Sequence, residues 1–85
     1  MERLRDLINI GVEVEKQLHE VGIYTKAELE SIGSMEAWLR IQEIDSSACI
    51  NRLMGLEGAI QNIRWHNLSE EDKSRLKDFY QQHKL

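Results

Sequence analysis

Few residues of this chain combine the type and the spacing that chemistry requires. Cys49 stands near the start of a predicted helix, where a thiol can act as a nucleophile. It also begins an apolar stripe, and no histidine is near it in sequence. We therefore interpret Cys49 as a buried structural residue. Glu15 and His19 are four residues apart, the spacing of a partial metal site, but with no second histidine or cysteine pair they indicate a surface pair.

The remaining chemistry-bearing residues are dispersed. His19, His66 and His83 belong to three separate predicted elements, and no glycine motif that cradles phosphate is present. The aromatic residues could stack on bases, but Trp38 and Phe79 fall at core spacing, and Trp65 is expected to cover the core from a loop. A chain of 85 residues has little mass for a walled cleft. We expect no catalytic residues, no metal, no cofactor and no small-molecule substrate.

The segment from residue 7 to residue 33 predicts how the chain is organised. It predicts a short helix over about residues 2–8, a tight turn, a helix over about 12–21 that ends at Gly22, and a helix over about 26–32 that begins after Thr25. This order is that of a helix-hairpin-helix unit, which binds nucleic-acid backbone or docks on protein. The candidate binding residues are those of the turn: Asn9, Ile10, Gly11, Val12 and Glu13.

Charge argues against nucleic acid. Fifteen acids against eleven bases give a net charge of −4, and the bases are scattered among the acids. Nucleic-acid binders usually carry a basic face. Glu13 stands where a DNA-binding hairpin has its second glycine, and Glu15 adds a negative charge in the same helical turn. A weak, sequence-nonspecific nucleic-acid interaction remains the alternative to protein binding.

The rest of the chain also predicts helices. They cover about residues 35–44 with Ser34 as a cap, about 47–62, and a last helix that begins at Ser69. The helix over 47–62 carries a stripe every 3.5 residues and two glycines on its other faces, which predicts a central, nearly all-round-buried helix. The fold class is all-α: five to six short helices in a helix-hairpin-helix or SAM-like bundle, with residues 1–85 as one domain. The stripe consists of Cys49, Leu53, Leu56, Ile60 and Ile63.

Composition predicts where the protein acts. No apolar run approaches the ~18 residues that span a bilayer, and the N-terminus lacks the apolar stretch of a signal peptide. A lone cysteine excludes an intramolecular disulfide and indicates a reducing compartment. We therefore expect a cytoplasmic protein without a membrane partner.

Two stretches together resemble the C-terminal domain of the TfoX/Sxy competence regulators. They are LINIG…EVGI.T..ELE.IG..EA and INRLMGLEGAI..I.W..L, and they span about residues 4–72. The proline common before the last helix of that family is Ser69 here, and the N-terminal domain of a full-length regulator is missing. The signature positions beyond the turn are Gly22, Thr25, Leu29, Gly33, Leu56, Glu57, Gly58, Ala59, Trp65 and Leu68.

The resemblance implies a bacterial regulatory setting, related to competence and transcription. The leading hypothesis is a non-catalytic module that binds a protein partner of unknown identity and that is also compatible with a homodimer. A short chain with a marginal core often buries surface against another subunit. The expected interface consists of apolar residues outside the core stripes: Tyr24, Met35, Ile50 and Met54.

Overall fold

The computed structural model describes residues 3–85, and within that range the chain is helical with no β-strand. This confirms the all-α prediction. Two 3-10 turns accompany the α-helices, one at Leu4–Asp6 and one at Trp65–Asn67. The five α-helices are α1 (Val12–Glu20), α2 (Lys26–Ile32), α3 (Ser34–Ile44), α4 (Ile50–Gln61) and α5 (Glu70–His83).

Helix α4 lies at the centre of the bundle. It contacts α2, α3, α5 and the second 3-10 turn. Six of its twelve residues are buried, and they point in several directions around the helix axis, as the sequence predicts. Gly58 lets neighbouring backbone approach closely, because a missing side chain shortens the distance at which two segments can pack. The buried residues are Leu53, Met54, Gly55, Leu56, Gly58 and Ala59.

Helix α4 begins later than the sequence predicts. The Asp45 side chain accepts hydrogen bonds from the Ser47 backbone and hydroxyl, and the Ala48 amide bonds to the Asp45 carbonyl. This local turn holds residues 45–48 out of the helix. Cys49 is consequently the N-cap residue of α4 and is exposed. The prediction of a buried cysteine at the head of the stripe is wrong.

Trp38 of α3 anchors the contact between α3 and α5. Its side chain is fully buried, and the rings of Phe79 and Tyr80 meet it edge-on at centroid distances of 6.2 and 5.6 Å. The indole nitrogen donates to the Cys49 carbonyl at 3.2 Å. The bond satisfies the one polar atom of a buried indole and ties α3 to the start of α4.

The first predicted helix is not present as an α-helix. Only Leu4–Asp6 are helical, as a single 3-10 turn, and the predicted start at Glu2 lies outside the described residues. Leu4 and Leu7 are both buried, and the chain then reverses through Asn9, whose φ is +69°. The turn at residues 10–12 therefore joins a 3-10 turn to α1, and not two α-helices.

Most of the helix caps predicted from the sequence are present in the structure. Thr25 accepts from the Glu28 amide, and the Glu28 carboxylate accepts from the Thr25 hydroxyl and the Tyr24 amide. Ser69 caps α5 by accepting from the Asp72 amide. Ser34 is the exception. Gly33 is the N-cap of α3, and the hydroxyl of Ser34 is not a cap.

Candidate functional site

The predicted turn is fastened to α4 by the side chain of Asn9. Its amide nitrogen donates to the carbonyl oxygens of Ile63 at 2.9 Å and Gly55 at 3.4 Å, and its amide oxygen accepts from the Trp65 backbone at 3.3 Å. All three partners lie 46 to 56 residues away in the chain. Every polar group of this side chain is thus committed within the protein.

Gly58 provides the surface on which the turn rests. A Cβ at this position would collide with the Asn9 amide nitrogen, and would lie 2.7 Å from the Ile63 carbonyl oxygen and 3.3 Å from the Trp65 Cα. At Gly55 a Cβ would lie 3.6 Å from the Asn9 Cβ, an ordinary contact. Residue 58 is the position at which the close approach requires glycine.

The other turn residues divide between core and solvent. Ile10 is buried, whereas Val12 is 61% exposed and Glu13 is exposed in the first turn of α1. Gly11 is the N-cap of α1 and has ordinary extended backbone. The turn therefore presents one apolar side chain and one carboxylate to solvent.

Glu15 is buried and paired with Arg5, which corrects the predicted surface pair with His19. The Glu15 carboxylate accepts from the Arg5 backbone at 2.9 Å and from Arg5 Nε at 2.8 Å. These hydrogen bonds lower the pKa of Glu15 and raise the pKa of Arg5. His19 instead stacks on Tyr24, with ring centroids 5.3 Å apart. Because Arg5 neutralises Glu15, Glu13 is the residue that contributes free negative charge at this turn.

The histidines lie on different elements, as expected, and each stacks on a neighbouring ring. His66 stacks on Trp65 at 3.9 Å and His83 on Phe79 at 4.1 Å. In residues 3–85, no three histidine, cysteine or acidic side chains are grouped so that they could hold a metal ion. No helix in that range is both long and apolar enough to cross a membrane.

The four expected interface residues do not form one patch. Tyr24 is 58% exposed, and Met35 and Ile50 are half-buried against the core. Met54 is 4% exposed and belongs to the core itself. The contiguous edge predicted from Ile50 and Met54 is therefore not present, because α4 is buried on the side where Met54 lies.

The signature segment at residues 56–59 has a structural role at each position. Leu56 and Ala59 are buried, and Gly58 receives the turn. The Glu57 carboxylate accepts from the Ser34 hydroxyl at 2.6 Å, which joins α4 to the start of α3. The backbone of Trp65 packs above Gly58.

The sequence does not predict a polar network that is centred on Asp45. The Asp45 carboxylate accepts from Gln17 at 2.8 Å and from Arg52 at 3.0 Å, so that it links α1 and α4 at the end of α3. Hydrogen bonds from Ser47, Gln17 and Arg52 lower the pKa of Asp45 well below its usual range. Gln17 lies 28 residues before Asp45, and nothing in the local spacing of these residues indicates the network.

The geometry defines a class of protein: a small all-α domain in which an N-terminal turn locks onto a glycine of a central helix. The model of the TfoX C-terminal domain matches residues 1–80. The chain belongs to that family, as the resemblance in sequence predicted.

Two curated bacterial relatives match the chain. It is 34% identical to the DNA transformation protein TfoX of Haemophilus influenzae over 76 residues, which make up 89% of this chain and 35% of that protein. It is 40% identical to Protein Sxy of Escherichia coli over 62 residues, or 73% of this chain and 30% of that protein. The chain thus spans about a third of the length of these relatives.

Two solved structures share the fold. A crystal structure of an uncharacterized protein from Listeria monocytogenes, in a triclinic form, has a TM-score of 0.94 and 51% identity, and the match covers 95% of this chain and 92% of that one. A tetragonal form of a protein of unknown function from the same organism has a TM-score of 0.89 and 51% identity, with 92% and 96% covered.

Proposed function

We propose that this domain is a non-catalytic protein-binding module that acts in the regulation of DNA transformation. Membership of the TfoX C-terminal domain family and the name of the Haemophilus influenzae relative support the regulatory setting. The preference for a protein partner rests on the turn. This preference rests on one observation: the side-chain amide of Asn9 is fully hydrogen-bonded to α4 and to the loop that follows it.

Two features of the turn oppose its use on a phosphate backbone. A hairpin that grips phosphate needs free donors and positive charge at the helix start. Here the polar groups of Asn9 face inward, and the exposed Glu13 lies in the first turn of α1. A carboxylate there interacts favourably with the helix dipole and repels phosphate. Val12, exposed beside it, suits contact with an apolar protein surface.

Binding of duplex DNA tests the choice of partner. We expect fluorescence anisotropy at physiological salt to give no dissociation constant below the roughly 10⁻⁴–10⁻⁶ M range of nonspecific contacts. Glu13→Gly should strengthen binding slightly, because it removes the exposed carboxylate, whereas Glu30→Gly, at an exposed acid of α2, should not. Nanomolar binding that falls steeply with salt would favour the nucleic-acid alternative instead.

A chimera tests the regulatory setting. The matched third of the Haemophilus influenzae protein is replaced by this chain, and transformation frequency is measured in cells that lack the native gene. We expect transformation to persist, and we expect a chimera with Gly58→Leu, which overpacks the turn, to lose it. A chimera that accumulates normally and restores no transformation would contradict the proposal.

The same chimera, tagged and captured from cells, separates the two kinds of partner. If one protein is still recovered after nuclease treatment, the result supports protein binding. Recovery that depends on intact nucleic acid supports the alternative.

A further inference from the structure

Helices α1 and α3 end at the same open depression on the surface, which has a volume of about 420 Å³. The last residue of α1 is Glu20, followed by Val21 as the C-cap residue, and the last residue of α3 is Ile44. The Ile44 side chain is 47% exposed and Val21 is half-buried, so that the depression offers an apolar contact to a partner. The lining consists of Glu20, Val21, Glu36, Arg40, Glu43 and Ile44.

The lining of this depression is negatively charged. It contains three carboxylates and one guanidinium, which give a net charge of −2. The guanidinium of Arg40 is already paired with Glu36, with 3.2 Å between the charged groups. Among residues 3–85, neither Glu20 nor Glu43 forms an ion pair. These two carboxylates therefore remain for a partner.

Cations on the surrounding elements do not offset this charge. Arg52 of α4 is bound to the Asp45 carboxylate at 3.0 Å. Lys16 precedes Glu20 by one turn of α1 without forming an ion pair with it, and Glu13, three residues before Lys16, is a further exposed acid. The outer face of α1 thus adds no positive charge in total to the rim of the depression.

Glu20 and Glu43 both lie where an acid is unfavourable to its own helix. The C-terminal end of a helix carries partial negative charge, so that a cation there is stabilising and an anion is destabilising. Glu20 is the last residue of α1, and Glu43 lies in the last turn of α3, which holds no basic residue. Helix α5 has the favourable arrangement, with three acids in its first turn and His83 in its last. Departures from such local rules are expected at functional sites.

We propose that this depression binds a basic segment of a partner protein. An aliphatic side chain of the segment packs on Ile44 and Val21, and lysines or arginines on either side of it pair with Glu20 and Glu43. These cations supply the positive charge that the ends of α1 and α3 lack. The inference rests on the proposed function and specifies the surface and the chemistry of the partner. Nucleic acid does not suit the same surface, because its phosphates would meet unpaired carboxylates.

One test needs no ligand. Glu20→Gln combined with Glu43→Gln should raise the midpoint of urea unfolding of the 85-residue chain, because an amide does not oppose the helix dipole. The matched control is Glu70→Gln with Glu71→Gln, which changes the net charge equally but removes acids from the first turn of α5, and it should lower the midpoint. If the first pair leaves the midpoint unchanged or lowers it, the two acids are not held against the stability of their helices, and the proposal fails.

A second test measures binding to a short fluorescein-labelled peptide in which lysines flank a central pair of leucines. We expect saturable binding in fluorescence anisotropy at about 0.15 M salt, and amide shifts of the ¹⁵N-labelled protein that change at residues 20–21, 40 and 43–44. Glu20→Gln with Glu43→Gln should weaken binding at least about tenfold, and Ile44→Ser should weaken it as well. The pair Glu70→Gln and Glu71→Gln should leave binding unchanged.

Three binding results would overturn the assignment of this surface. They are no saturable binding of the leucine peptide, equal weakening by the control pair, and equal affinity for a peptide with serines in place of the leucines, which would indicate unspecific attraction of a polycation. Failure here leaves the proposed function intact if duplex DNA also fails to bind, since a protein partner can use another surface. Nanomolar duplex binding would overturn the proposed function whatever the peptide does.

Discussion

The side-chain amide of Asn9 occupies the space into which a side chain at position 58 would project, so that Asn9 and Gly58 fit together across the turn and α4. Residue 62, just after α4, is left-handed with φ of +61°, and the Ile63 amide bonds back to the Gly58 carbonyl. This ending brings the Ile63 carbonyl over Gly58, where Asn9 can reach it. The turn and the end of α4 are therefore one structural unit.

The first prediction compares the two glycines of α4. Gly58→Ala should lower the free energy of unfolding by about 1–3 kcal/mol, because the added methyl collides with Asn9 and the Ile63 carbonyl. Gly55→Ala meets only ordinary contacts and should be neutral or stabilising by up to about 1 kcal/mol, since alanine favours the helix. Urea unfolding followed by far-UV circular dichroism measures both. Equal effects would contradict the claim that the turn selects glycine at residue 58.

A second prediction concerns Asn9 itself. Asn9→Asp keeps the acceptor for the Trp65 amide but turns a carboxylate toward the Ile63 and Gly55 carbonyls, and should cost about 1–3 kcal/mol. Asn62→Asp, at the other left-handed asparagine, is the control for the backbone conformation. If both variants unfold at the same urea concentration, the hydrogen bonds of Asn9 do not stabilise the fold.

The third prediction is a coupling between these two residues. Asn9→Gly tolerates the left-handed backbone and removes the amide that collides with a methyl at residue 58. The cost of Gly58→Ala should therefore be smaller in the Asn9→Gly background, with an interaction free energy of about 0.5–3 kcal/mol. A double-mutant cycle measures this value, and strict additivity would show that the two sites act independently.

The fourth prediction is the pH dependence of stability. Hydrogen bonds from Arg5 hold the pKa of Glu15 below its ordinary value of 4.5 in the folded protein. The stabilisation from this pair is complete above about pH 4.5 and is lost as the pH falls through the lowered pKa of the folded state. Glu15→Gln should reduce the loss of stability in acid, whereas Glu13→Gln, at an exposed residue of the same helix, should not. Identical acid profiles for wild type and Glu15→Gln would refute the role of the pair.

The fifth prediction concerns the burial of Met54, which the sequence had placed at an interface on α4. Met54→Glu would bury an unpaired charge and should cost more than about 2 kcal/mol. Val12→Glu, at a position 61% exposed, should change stability by less than about 0.5 kcal/mol. Thermal melts of the two variants check this, and a folded Met54→Glu with an unchanged melting temperature would return residue 54 to the surface.

Several features could be predicted because their causes are local. The bounds of α2 match the prediction, since Thr25 and Glu28 cap one end and Gly33, with φ of +88°, closes the other. The start of α5 follows from Ser69 in the same way. Apolar residues and glycines on all faces of α4 predict its central position in the bundle. Each of these signals lies within a few residues of the structure it determines.

The sequence by itself thus determined the helical class, most helix bounds, the buried central helix and the family. Tertiary structure alone decided that Asn9 locks onto Gly58, that Glu15 pairs with Arg5 and that Met54 is buried. The physical reason is that each of these outcomes depends on partners from other elements. Side-chain spacing specifies which face of a helix a residue occupies, whereas the packing of the elements decides what that face meets.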